Sequence, residues 1–129
     1  MQYLLLKGRD TGVWSFPKGH QEKLDATNQL RTAVRETEEE TGFIVGRDYT
    51  IIGNSIRFGK RPYWLGLMNE DCPGTLTLSP REHSQFAWLS WTEICWRNHN
   101  IDVRDWVKKS QSPNSEFTRL LGFVSAASS

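Results

Sequence analysis

Cysteine is nearly absent. Cys72 and Cys95 stand far apart, with no Cys or His at metal-ligand spacing, and two thiols are too few to frame a small domain with disulfides. The expectation is reduced thiols in a soluble, cytoplasmic protein. Charge of one sign is lacking too: 16 Lys and Arg against 15 Asp and Glu leave a formal net charge of +1. That balance excludes an acidic disordered chain and a generally basic nucleic-acid coat, so an anionic ligand must be held locally. Long apolar runs are missing as well. The opening MQYLLLKGRD holds only a few consecutive apolar residues, short of a signal-peptide core and far short of a bilayer span. No targeting segment and no membrane partner are expected, and there is no internal repeat or low-complexity tract.

What is present fits one domain over residues 1–124 with a disordered tail at residues 125–129. Tyr3 to Gly8 reads as a buried strand ended by the turn-prone GRDTG, and VWSFPKGH as a second extended segment opening into a loop at Pro17 and Gly19. From Asp25 to Thr41 there is no proline or glycine, and Ala26, Leu30, Ala33, Val34 and Thr37 recur at helical spacing, which predicts a helix stopped by Gly42. Strands follow at YTIIGNSIRFG and RPYWLGLMN around a Gly59-Lys60 turn, then at GTLTLS and SQFAWLSW. WTEICWRN and DVRDWVKKS read as helices with Thr92 and Asp102 as N-caps. The order predicts an α+β fold with mixed sheet pairing rather than a regular parallel crossover series.

The helix ends in RETEEETGF, residues 35–43. At 100° per residue, Glu36, Glu39 and Glu40 project as one cluster while Glu38 points elsewhere, and the stripe of Leu30, Val34 and Thr37 lies on another flank. Like charges at this spacing repel, and they sit at the negative end of the helix dipole. A hard divalent ion, Mg2+ or Mn2+, is the natural compensation, since it prefers carboxylate, carbonyl and water oxygens. The alternative is a solvated acidic face balanced by Arg35.

The context of FPKGH before the helix and RETEEETGF at its end resembles the box of the Nudix hydrolases, G-x5-E-x7-R-E-U-x-E-E-x-G-U with U apolar. Arg35, Glu36, Glu39, Glu40, Gly42 and Phe43 match, with Thr37 at an apolar slot. The first half departs: the box glycine and first glutamate would fall on Gln21 and Thr27, whereas the loop glycine is Gly19, so a two-residue insertion is inferred. Glu22 or Asp25 would stand in for the missing glutamate, whose task in the family is to orient the arginine. The resemblance implies a Nudix-type α/β/α sandwich and hydrolysis of a nucleoside polyphosphate by water attack on phosphorus with Mg2+ or Mn2+.

Within the family, WSFPKGH, PYWLGLM and REHSQFAWLSWTEI are similar in content and order to the asymmetrical diadenosine tetraphosphate hydrolases, over about residues 3–96. The resemblance implies a metal held by the Gly19 carbonyl and by Glu36, Glu39 and Glu40, with Glu82 as a further ligand or the general base and Arg35 among the catalytic set. Tyr63 and Phe86 match positions that sandwich an adenine, with ordinary core packing as the alternative. Lys18, His20, Arg57 and His83 are candidates for substrate contact, whereas Lys60 and Arg61 at the turn read equally well as solubility charges.

Nudix domains begin with a strand before the one represented here by YLLLKG, and none is seen. The expectations are a shortened domain, a strand borne by a partner, or an exposed edge, in a monomer or homodimer. Messenger-RNA decapping, which would bring RNA as partner, inositol-pyrophosphate hydrolysis and a weakly active binding module are the rival readings; the first lacks an evident basic RNA-binding helix here.

Overall fold

The computed structural model describes residues 2–19, 28–69, 83–110 and 119–126. The expected strand GTLTLS lies outside them, as do His20, Glu22, Asp25 and Glu82. The elements in chain order are β1 (Gln2–Gly8), β2 (Trp14–Ser15), β3 (Lys18–Gly19), α1 (Gln29–Thr41), β4 (Tyr49–Phe58), β5 (Arg61–Met68), β6 (His83–Leu89), α2 (Trp91–Cys95), α3 (Ile101–Ser110) and β7 (Arg119–Ala126).

β1 organises the molecule. Its apolar run is buried on both faces, and alternation sends successive side chains to opposite sides. Tyr3 and Leu5 enter one cluster with Ile94 of α2 and Val103 and Trp106 of α3, along with Phe16, Phe58, Tyr63 and Phe123. Leu4 and Leu6 enter the other with Ala33 of α1, Phe43 and Tyr49. Helices on both faces of one sheet make the α/β/α sandwich. Each such side chain contributes about 1.5–3 kcal/mol on burial, so the three leucines, none of them exposed, tie the two layers together.

The seven strands form one mixed sheet with the path β2-β1-β7-β5-β4, to which β6 adds beside β1 and β3 beside β7. β1 runs antiparallel to β2 and β6 and parallel to β7, while β7 runs antiparallel to β5. Arg119–Ala126, which pairs with the start of β1 and with β5, is a strand the sequence did not announce. β7 continues through Ser125 and Ala126, the first residues of the expected tail, which pair with Lys18 and Gly19.

α1 starts at Asn28, whose Oδ1 accepts the Arg31 N–H at 3.0 Å, and stops at Gly42, which takes φ 80° and donates its N–H to the Glu38 carbonyl at 2.8 Å. Its buried face keeps Ala33 and Thr37 of the recurrence read from sequence but not Leu30 or Val34. Leu30 is 37% exposed, and the buried residues are Thr32, Ala33, Thr37, Glu40 and Thr41. The Thr37 and Thr41 hydroxyls are satisfied by donating to the carbonyls of Ala33 and Thr37, so this polar but compact face can lie close to the sheet. The expected caps shift as well: Ser90, not Thr92, caps α2 in a capping box with Glu93, and Asn100, not Asp102, accepts the Val103 N–H at 3.0 Å.

Candidate active site

The strand that carries Lys18 and Gly19 is laid against the C-terminal half of α1. The Lys18 N–H donates to Glu40 Oε2 at 3.2 Å. Gly19 packs so tightly on Glu36 that a Cβ at position 19 would overlap the Glu36 carboxylate, which would have to move. Glu40 is 3% exposed, a carboxylate taken almost wholly out of bulk water, which costs free energy unless polar partners or an ion compensate.

Glu36 and Glu40 line a cavity of about 700 Å³ together with Lys18, Gly19, Arg61 and His83. The remaining wall comes from the β1–β2 turn (Gly8, Arg9, Asp10, Thr11) and from His99 and Asn100 ahead of α3. Sequence reasoning missed these last two groups. Nothing in a short turn or in a lone histidine before a helix marks it as a wall of a site; only the parallel bridge of His99 to Trp14 and the paired bonds of Trp14 with Asn98 and Asn100 bring that loop in.

Other expected residues are arranged differently. Glu39 does not line the cavity: its side chain is 54% exposed, and Arg35 Nη1 donates to Glu39 Oε1 at 3.0 Å and to Glu36 Oε1 at 3.1 Å. Arg35 thus relieves the repulsion within the cluster. Tyr63 is fully buried, edge-on to Phe16 at 6.1 Å between ring centroids, and its hydroxyl donates to Asp102. It offers no face to a base, which corrects the stacking role expected for it. Phe86 is 40% exposed on β6, three residues along from cavity-lining His83. Arg57 is exposed and donates to the Lys60 carbonyl at 3.1 Å, bracing the turn rather than the cavity.

Arg61, by contrast, reaches the wall, and its Nη1 donates to buried Asp102 at 2.9 Å. Burial alone would lower the Arg61 pKa, but the hydrogen bond and charge of Asp102 outweigh it and leave the pKa raised. The guanidinium stays charged.

A divalent ion can be tested against these donors. Among the described residues no group of three His, Cys, Asp or Glu side chains is placed to hold a metal ion. Mg2+, however, is commonly bound by one or two carboxylates together with waters and substrate phosphates. Two carboxylates, one packed on Gly19 and one on the Lys18 amide, supply hard oxygen donors of that kind at the edge of the cavity, and the residues present fit the ion in chemistry.

No helix among the described residues is long and apolar enough to cross a membrane. The NUDIX domain matches residues 1–109 of the chain. Curated proteins named bis(5'-nucleosyl)-tetraphosphatase [asymmetrical] are similar to it: that of Rattus norvegicus is 34% identical over 105 residues, covering 74% of this chain and 68% of the relative. Those of Sus scrofa and Mus musculus are 35% and 37% identical over the same shares of each chain. The match over residues 1–109 shows that the chain belongs to the NUDIX domain family, with Glu36 and Glu40 of α1 lying against Lys18 and Gly19.

Proposed function

We propose that this chain is a pyrophosphohydrolase that cleaves diadenosine tetraphosphate to ATP and AMP, consuming one water as it attacks phosphorus and the bridging P–O bond breaks. The observation that carries the reading is the contact of Gly19 with Glu36, with Glu40 beside it on the Lys18 amide. Two acids and Gly19 thus share one end of a cavity whose other walls carry Arg61, Arg9 and His83, which supports the reading. The relatives bearing the tetraphosphatase name support the substrate class.

In this reading Glu36, Glu40 and the Gly19 carbonyl hold Mg2+ or Mn2+, and Arg35 orients Glu36. Glu39 and Glu82 are the further carboxylates, one of the acids taking the proton of the attacking water. When bound, the ion neutralises charge on the polyphosphate. Lys18 and His83 contact the phosphate chain, and Phe86, with an open face, stacks on a base, an interaction worth about 1–3 kcal/mol.

Incubation of the pure protein with Mg2+ or Mn2+ and, separately, diadenosine tetraphosphate, capped RNA and an inositol pyrophosphate tests this. ATP plus AMP from the first is the expected result. Release of m7GDP from capped RNA, with the dinucleotide untouched, would overturn it in favour of decapping, and nucleotide binding with no turnover of any of the three would leave only a binding module.

A further inference from the structure

Arg61 reads in the sequence as a turn charge, yet its surroundings are built. Its Nη1 donates to Asp102 Oδ2 at 2.9 Å, and the Tyr63 hydroxyl donates to that same oxygen. Asp102 itself is buried. Its Oδ1 lies against Gly59, where a Cβ would overlap it and where φ is +62°, so the glycine both makes the turn and leaves room for the carboxylate.

α3 grips this turn twice more. Asp105 Oδ2 accepts the Gly59 N–H at 2.8 Å, and Lys109 Nζ donates to the Arg57 carbonyl at 3.3 Å. A charge needed only for solubility gains nothing from being held so, because fixing a long side chain costs rotamer entropy. A guanidinium has five donors in a planar fork, and one bond to Asp102 keeps that plane oriented while leaving capacity for an anion. Arg61 also lines the same cavity as Glu36 and Glu40. One set of groups suits a cation and the other an anion.

We propose that Arg61 is a further group that binds the phosphate chain of the substrate, and that Asp102 is its positioning residue. This rests on the reading that the cavity takes a nucleoside polyphosphate. It extends that reading to a residue outside the box and outside the loop before it.

The test is calorimetric titration of the full chain with inorganic tripolyphosphate in the absence of divalent ions, alongside kcat and KM with Mg2+. Arg61→Gln is expected to raise the tripolyphosphate Kd and the KM by about tenfold or more with a smaller change in kcat. Arg61→Lys should fall between, since it keeps the charge and loses the fork. Arg104→Gln, an exposed arginine on α3, measures the effect of net charge alone and should stay within about twofold.

Arg61→Gln strands the Asp102 charge, so the double variant Arg61→Gln, Asp102→Asn is included to keep the protein folded and should show the same loss. A folded double variant that binds tripolyphosphate as tightly as the wild type overturns the proposal, as does an equal loss in Arg104→Gln. Failure of the parent reading looks different: wild-type protein that binds tripolyphosphate through Arg61 and hydrolyses no polyphosphate would end the proposed reaction and leave the anion site standing.

Discussion

Gly19 and Glu36 lie so close that a Cβ at position 19 would overlap the Glu36 carboxylate. Gly19→Ala must therefore push the Glu36 carboxylate or the β3 backbone away. The expected result is a loss of activity of about 10- to 100-fold, the usual scale for disturbing the support of a metal site, with weakened Mg2+ or Mn2+ uptake by calorimetry. Unchanged turnover in the alanine variant would sink the assignment of Glu36.

Glu39 separates a catalytic role from a structural one. It is exposed and paired to Arg35 in a surface i,i+4 contact, so Glu39→Gln should change stability by less than about 1 kcal/mol. Turnover should nonetheless drop by orders of magnitude if this carboxylate joins the ion when substrate binds. A variant that melts early while hydrolysing normally would mean that Glu39 serves only the helix.

The backbone pairing of Lys18 and Gly19 with Ser125 and Ala126 makes the far end of β7 part of the site. Ending the chain at Val124 leaves the pairing of β7 with β1 and most of its pairing with β5, so a cooperative melt should survive. Activity should fall about tenfold or more, because the strand that packs Gly19 on Glu36 loses its partner. Full activity in the shortened chain would refute this.

Removing Asp102 breaks two contacts at once. Asp102→Ala takes from the Tyr63 hydroxyl its bond to the carboxylate and leaves Arg61 without its counter-charge, and the expected cost is about 3 kcal/mol in denaturant melts, the low end for breaking a buried pair because Arg61 keeps some contact with water. A loss under a few tenths of a kcal/mol would show that the pair does not support the fold.

Stability should fall at both ends of the pH scale. The side chain of Arg47 first, then the Ile44 N–H, holds the Asp48 carboxyl below its ordinary value, and the Gly59 N–H and Lys109 do the same for Asp105. Carboxyls lowered in the folded state stabilise it above their unfolded pKa, about 3.9, and that contribution is lost as pH falls through the folded values. Burial pushes the Tyr49 phenol the other way, up to about 12. Its contribution is complete below the unfolded pKa near 10 and lost as pH rises towards 12. Ultraviolet titration of the phenolate should find Tyr49 un-ionised at a pH where an exposed tyrosine is already half converted.

Much of this was legible in the chain because local rules carried it. The run of Leu4, Leu5 and Leu6 reads as a buried strand and is one, Gly42 ends the helix as a left-handed cap must, and the Gly59-Lys60 turn sits where expected. The failures are non-local. Glu40 was placed on an open flank, away from the stripe of Leu30, Val34 and Thr37, whereas the buried face runs through the small residues Ala33, Thr37 and Thr41, which allow the closer approach to the sheet and carry Glu40 in with them. Asp102 looked like a helix cap and is instead a buried partner of residues some forty positions earlier. RLLGFVSA, broken by Gly122 at φ 88°, has too little pattern to declare a strand, and its place beside β1 depends on residues at the opposite end of the chain.

That last strand has a consequence for how the protein is made. Ribosomal synthesis delivers β1 first and β7 after all the other described elements, yet β7 lies between β1 and β5, so a nascent chain shorter than about residue 119 presents two unpaired strand edges flanking a slot. The sheet closes only once Arg119–Ala126 has left the ribosome. Until then the emerging polypeptide is at its most adhesive, and chaperone capture or aggregation should peak at that stage of translation.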